Sequence, residues 1–316
     1  MKVHLSFDVE VWCDGWQGLD DKFPAAFDRY VYGRSARGQF ALPETLAILK
    51  RHGLKGVFFV EPLFAARFGE RYLAEIVSLI EAAGQEVQLH LHPEWTDEIV
   101  PAPLVDVSRK RQHLSYYTES EQLQLLKLGL GLLRRYAKAE IYAFRAGSYA
   151  ANANTYRALD AAGIGVDSSL NRIFEVSGAD LPERSDGRSN FSIGGVQVYP
   201  VTVFRDGLGR LRPAQVGACG ALELECALES ARAAGHEHFV VVSHNFELLK
   251  PGKAEPDLLV VRRFEAMCRY LASHPDRYKV GSFPRISNSA QVVEVPTVGR
   301  LATLIRIGEQ AVRRFG

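Results

Sequence analysis

No run of apolar residues in this sequence approaches the roughly 18 that a membrane-spanning helix requires, so composition alone argues against such a segment. Charge of one sign is missing too: 38 Lys and Arg stand against 37 Asp and Glu, a formal net charge of +1. A protein that grips nucleic acid neutralises phosphates with a basic face, and this balance argues against that class. Cysteine is sparse. The four thiols (Cys13, Cys219, Cys226, Cys268) stand far apart with no C-x-x-C pair, and they read as free thiols of a reducing compartment. The opening "MKVHLSFDVE" carries charge inside its first apolar run and lacks a small-residue cleavage site, so it reads as a core strand and not as an export signal. These absences together predict a cytoplasmic protein.

What the chain does have is a large apolar fraction, 47% over 316 residues, in a regular alternation. Short apolar runs at 2–7, 55–60, 85–90, 141–145, 164–169, 196–201, 238–244 and 278–283 predict strands. Segments at 43–53, 69–84, 118–139, 152–163, 221–235 and 257–274 have helical spacing. Thr118 and Glu121 form a T-x-x-E capping pattern at the head of one helix. Repeated strand–helix units with near-continuously apolar strands imply a parallel sheet covered by helices. Seven or eight units favour a distorted (β/α) barrel, parallel strands inside and helices outside, over an open sheet. No low-complexity linker interrupts the pattern. The barrel is expected over 1–290, with 14–42 and 170–195 as long loops. Residues 291–316 are expected to form an amphipathic helix packed on the barrel, with peripheral membrane contact through 298–316 as its functional alternative.

In such folds the chemistry sits at the carboxyl ends of the strands. Asp8 and Glu10 follow the first strand, and His90, His92 and Glu94 follow the third. Arg145, Asp167 and His244 end three others. Residues two apart on a strand share a face, about 6.5–7 Å apart, so His90 and His92 can reach one cation. Imidazole suits zinc and related divalent metals, and one carboxylate would complete three ligands. Trp12, Trp16 and Trp95, all the tryptophan in the chain, cluster near these motifs.

The ordered set "SFDVE", "HLHPEW", "FRAGSY", "VDSS" and "VVSHN" resembles the polysaccharide deacetylases, the NodB-homology or carbohydrate esterase family 4 group, over most of residues 1–285. The resemblance implies a distorted barrel, a divalent metal, most often Zn2+, and hydrolysis of an N-acetyl group on a sugar. It matches Asp8 to the catalytic base, Arg145 to the arginine that positions it, and His244 to the general acid. Asp167 falls in the fourth motif, where an acidic residue can tune that histidine. The sequence departs from the family at three places. Val9 stands where a second aspartate is usual, which makes Glu10 the replacement ligand. The usual four-residue histidine spacing lands on Glu94, so the third ligand is His92 or Glu94. Gly147-Ser148-Tyr149 replaces the usual proline-tyrosine, and the oxyanion-binding N–H is that of Ser148 or Tyr149. Trp95 is expected against the sugar.

The function expected is metal-dependent N-deacetylation of an amino sugar. With no export signal visible, the substrate would be a cytoplasmic precursor or lipid-linked unit of a surface polysaccharide such as lipopolysaccharide. Hydrolysis of a small cyclic amide or ureide on the same fold is one alternative, and a catalytically silent saccharide-binding barrel is another.

Overall fold

In the computed structural model, residues 1–174, 179, 181, 188–286 and 292–315 are described. Besides two small hairpins, the strands of the main sheet are β1 (Lys2–Val9), β2 (Gly56–Val60), β3 (Glu86–Leu91), β4 (Ala143–Ala146), β5 (Val166–Asp167), β6 (Phe191–Ile193), β7 (Val196–Val198), β8 (His238–His244) and β9 (Lys279–Val280). They form one curled sheet in the order β8-β1-β2-β3-β4-β5-β7-β6, and β9 pairs with the start of β1. Every pairing is parallel except the β6–β7 hairpin. An irregular segment draws the ends together: Val201 N–H donates to the Leu170 carbonyl, Thr202 N–H to that of Val240, and Val242 N–H to that of Ala214. The result is the distorted (β/α) barrel that the alternation implies.

Period 2 along β1 explains its double role. Val3, Leu5, Phe7 and Val9 pack against the surrounding helices. His4, Ser6 and Asp8 alternate with them and face the lumen. The lower lumen is apolar and aromatic, with Phe59, Tyr199 and Phe283 packed together and the His4 ring stacked 4.4 Å from Phe283. His4 is hydrogen-bonded to His238 at 2.9 Å, and burial pushes both down, to about 4 and about 3, so this pair is neutral packing. Higher up, the lumen turns polar.

The helices are α1 (Leu19–Phe27), α2 (Leu42–Arg51), α3 (Leu63–Phe68), α4 (Glu70–Ala82), α5 (Glu119–Arg134), α6 (Ala153–Ala162), α7 (Ala221–Ala233), α8 (Leu258–Ser273) and α9 (Arg300–Phe315). Thr118 caps α5 in the expected reciprocal box: its N–H donates to Glu121 and its Oγ1 accepts from the Glu121 N–H. Helix α5 ends at Arg134, short of the expected 139. The segment 14–42, expected as a loop, contains α1. Its signals are poor, since Gly18 is left-handed at the N-cap and Pro24 lies inside the helix, but Phe23 stacks on Phe68 at 3.8 Å and tertiary packing holds it. Part of the expected 170–195 loop is the strand β6. The expected boundary between 290 and 291 lies outside the described residues. Among those described, no helix is long and apolar enough to cross a membrane.

Candidate metal and catalytic site

The polar end of the lumen gathers residues from four strands. Asp8 lies opposite His244 in the β1–β8 register, and His90 opposite Arg145 between β3 and β4. Glu10, one residue past β1, reaches across to both histidines: its Oε1 is 3.0 Å from His90 Nε2 and 3.0 Å from His92 Nε2. Its Oε2 accepts from the Trp12 indole N–H at 2.6 Å. All three are buried, and their ligand atoms lie within 4.8 Å of one another.

The partners behind the rings decide what this cluster can hold. His90 Nδ1 is 2.7 Å from the Arg145 carbonyl, which can only accept, so Nδ1 carries the proton. His92 Nδ1 faces the Glu94 carboxylate at 3.3 Å in the same way. In the neutral rings both Nε2 lone pairs then meet a carboxylate oxygen with no hydrogen between them. Three lone-pair donors converging on one point call for positive charge there, and the two-nitrogen, one-oxygen set suits a divalent cation of the zinc type. Without a cation, a proton on the His92 ring supplies that positive charge. Burial raises Glu10, but the His92 charge and the hydrogen bonds of both histidines reverse this and hold its carboxyl well below the usual range. Burial opposes charge on His92, and Glu10 nonetheless holds that imidazole well above its ordinary value. Glu94 stands behind His92 and outside the Glu10–His90–His92 group.

Asp8 is fixed by a fully buried arginine. Arg145 Nη1 donates to Asp8 Oδ1 at 2.8 Å, Nη2 to Ser6 Oγ and Ser168 Oγ, and Nε to the Ser168 carbonyl at 2.9 Å. Its guanidinium also lies 4.5 Å above the Phe59 ring. Asp8, Glu10 and His244 each bring an atom within 4.8 Å of the others. His244 Nδ1 is 2.9 Å from Glu247 Oε2. Burial opposes its charge, but the Glu247 hydrogen bond and the carboxylates of Glu247, Glu10 and Asp8 push the imidazole up to about 9.

Glu247, not Asp167, is therefore the partner of His244. Asp167 is buried beneath the site, accepting from Tyr156 Oη at 3.1 Å and from the backbone and hydroxyl of Ser169, and burial pushes its carboxyl up to about 6. No pattern in the sequence marks Asn245. It clamps the backbone of Glu10, accepting from its N–H at 3.0 Å and donating to its carbonyl at 3.1 Å. Ser6 and Ser168 are further unforeseen members, since serine in a strand gives no sign that it meets a guanidinium.

After β4 the chain turns through Ser148 and Tyr149, both left-handed, at φ 54° and 57°. Non-glycine residues there cost about 1–3 kcal/mol each, which the surroundings must offset. Among the described residues, no protein group accepts from the backbone N–H of either one. Gly147 at the head of the turn packs on His92, and a Cβ there would lie 2.6 Å from the ring. Gly147→Ala is expected to displace His92 and weaken zinc affinity about 10–100-fold, measured by chelator competition.

A cavity of about 600 Å³ opens beside His92, Glu94 and Ser148. Trp12, Trp16 and Trp95 wall it, with Trp12 edge-on to His92 at 4.7 Å and stacked on Trp95 at 6.2 Å. Trp95 is only 1% exposed, so the indole surface open to a ligand belongs to the half-buried Trp12 and Trp16, the latter with Lys110 Nζ 3.5 Å over one face of its ring.

No family model matches this chain, and no curated protein matches it in sequence. Solved structures do share its fold. A "putative polysaccharide deacetylase" from Mycobacterium smegmatis aligns over 90% of this chain and 94% of its own, with a TM-score of 0.52 and 19% identity. The 4-alpha-glucanotransferase from Thermococcus litoralis aligns over 94% of this chain, with a TM-score of 0.53 and 9% identity; the match spans 41% of that larger protein. A family 4 carbohydrate esterase from Streptomyces lividans aligns over 94% of this chain and 97% of its own, with a TM-score of 0.42 and 12% identity. The fold is thus the NodB-like barrel of the polysaccharide deacetylases.

Proposed function

We propose that this chain is a metal-dependent hydrolase that removes an N-acetyl group from an amino sugar. One observation carries the reading: Glu10, His90 and His92 turn two ring nitrogens and a carboxylate oxygen to one point, within reach of a buried Asp8–Arg145 pair and of His244. A divalent cation held there, zinc by its donor set, would supply Lewis acidity toward an acyl carbonyl and acidify water.

The chain's own groups divide the remaining work. Asp8, held by Arg145, accepts the proton of the attacking water. The backbone N–H of Ser148 or Tyr149 holds the developing oxyanion, a contribution often worth about 3–4 kcal/mol. His244 keeps its proton until the departing amine takes it, with Glu247 stabilising the imidazolium. Trp12 and Trp16 offer ring faces to the sugar beside the acyl group. The expected substrate is a precursor or lipid-linked unit of a surface polysaccharide, met in the cytoplasm, where the four unpaired cysteines stay reduced.

Zinc-loaded protein is expected to release acetate from N-acetylated amino sugars and to leave cyclic imides intact; the opposite preference would overturn the reading. The pH profile adds a check. His244, raised to about 9, is charged below that value and loses its proton as pH climbs through it, so turnover should fall on the basic side. Glu247→Gln removes the main cause of the rise and should move that limb to lower pH. An unmoved limb would exclude His244 as the acid.

A further inference from the structure

Helix α9 is packed inside out. From 303 to 313 its charged and polar side chains turn toward the barrel: Arg306 donates to Glu223 at 2.9 Å and to Asp206 at 3.0 Å, all three buried, Thr303 donates to Glu223, and Arg313 is paired with Asp257. Every exposed position from 301 to 312 is then apolar or glycine: Leu301, Leu304, Ile305, Ile307, Gly308, Ala311 and Val312. Leu301 and Val312 are each 70% exposed, and 301, 304, 305, 308 and 312 form one stripe along the helix. An uncharged face of this kind on an otherwise polar surface marks an interaction site.

Both flanks of that stripe carry an excess of basic residues. Arg37, Lys250 and Lys253 line a groove with Val312, Arg313 and the single acid Asp257, and on the other side Arg262, Arg263 and Arg269 stand with Glu265 and Glu309. The first groove leads inward. Lys250, Lys253 and Arg313 also line a cavity of about 400 Å³ whose inner wall is His244, Phe246 and Glu247. A continuous path therefore runs from the apolar helix, past cationic side chains, to the proposed general acid. Lys250 meets only Glu255, at 4.0 Å, and no acidic partner is found for Lys253 among the described residues.

We infer that α9 lies on an anionic lipid surface and that the Lys250–Lys253–Arg313 groove takes the phosphate of a lipid-linked amino sugar, presenting its N-acyl group to the site. This deepens the deacetylase reading and rests on it for the sugar. The apolar stripe matches acyl chains, the basic flanks match lipid phosphates, and the groove places the anion between lipid and chemistry. A second copy of the chain fits the face less well, because a two-fold contact would set basic flanks against each other.

The test uses full-length, zinc-loaded protein and vesicles of phosphatidylcholine with phosphatidylglycerol, against phosphatidylcholine alone. Wild type should sediment with the anionic vesicles. L304Q/V312Q, on the solvent face, should lose about tenfold or more in partitioning with an unchanged circular dichroism spectrum. K250E/K253E should weaken binding of a short isoprenyl phosphate about tenfold or more and lower the ratio of kcat/KM for the lipid-phosphate sugar to that for the unphosphorylated sugar. Four results would overturn the inference: no vesicle binding by wild type; a change in oligomeric mass for L304Q/V312Q with vesicle binding intact; equal binding of isoprenyl phosphate by K250E/K253E and wild type; or UDP binding as tightly as the isoprenyl phosphate. Vesicle and phosphate binding need no turnover. If they hold while no N-acetyl sugar is hydrolysed, the deacetylase reading fails and the lipid-phosphate surface stands.

Discussion

Asp8→Asn is expected to lower kcat by about 10²–10⁴ while the protein still binds one zinc. The substitution keeps an oxygen where Arg145 Nη1 now donates at 2.8 Å, so the guanidinium retains its acceptor. What it removes is the basic lone pair that takes the proton from water. Glu10, His90 and His92 are untouched, and metal content should not change. Full turnover in this variant would remove Asp8 from the mechanism. Loss of zinc along with activity would instead make Asp8 a ligand, an alternative that the Asp8–Glu10–His244 proximity makes specific.

Arg145→Met is expected to produce the largest loss of stability, about 3–5 kcal/mol, because it strands a carboxylate in the lumen. Arg145 is 0% exposed and Asp8 3%. Removing the arginine leaves Ser6 and Ser168 short of a donor as well. The cost belongs to the unpaired charge, so the double variant Asp8→Leu/Arg145→Met should recover much of it. Urea unfolding of both single variants and the double gives the coupling directly. A single variant as stable as wild type would mean that the pair neither holds the barrel together nor positions the base.

These two residues were legible in the sequence for a simple reason. A strand has period 2, so D-x-E and H-x-H fix which side chains share a face before any tertiary structure is known. The parallel sheet then brings strand ends together. That logic holds for Asp8, Glu10, His90, His92, Arg145 and His244, all on or directly after strands. It stops where the backbone stops being periodic. Glu247 and Asn245 lie in the turn after β8, where no spacing rule says which way a side chain points. One holds His244, and the other clamps the Glu10 backbone. Asp167 drew attention as a strand-end acid, but β5 is two residues long and its carboxylate is taken up by Tyr156 and Ser169 below the site. Helix α1 was hidden because its N-cap and its proline both oppose helix, and only aromatic packing makes it form. In α9 the amphipathic period was plain, but the sequence could not say which stripe faces in. Buried Glu223 and Asp206, more than 80 residues earlier in the chain, decide that.

The proposed chemistry depends on the convergence of Glu10, His90 and His92. Crystals of zinc-loaded protein, with anomalous scattering recorded across the zinc absorption edge, test it most directly. The expected map has one strong peak per chain, in contact with Glu10 Oε1 and the Nε2 atoms of His90 and His92, with Glu94 hydrogen-bonded to His92 from behind. No peak at saturating zinc, or a peak held by Glu94 without His92, would contradict the site as described.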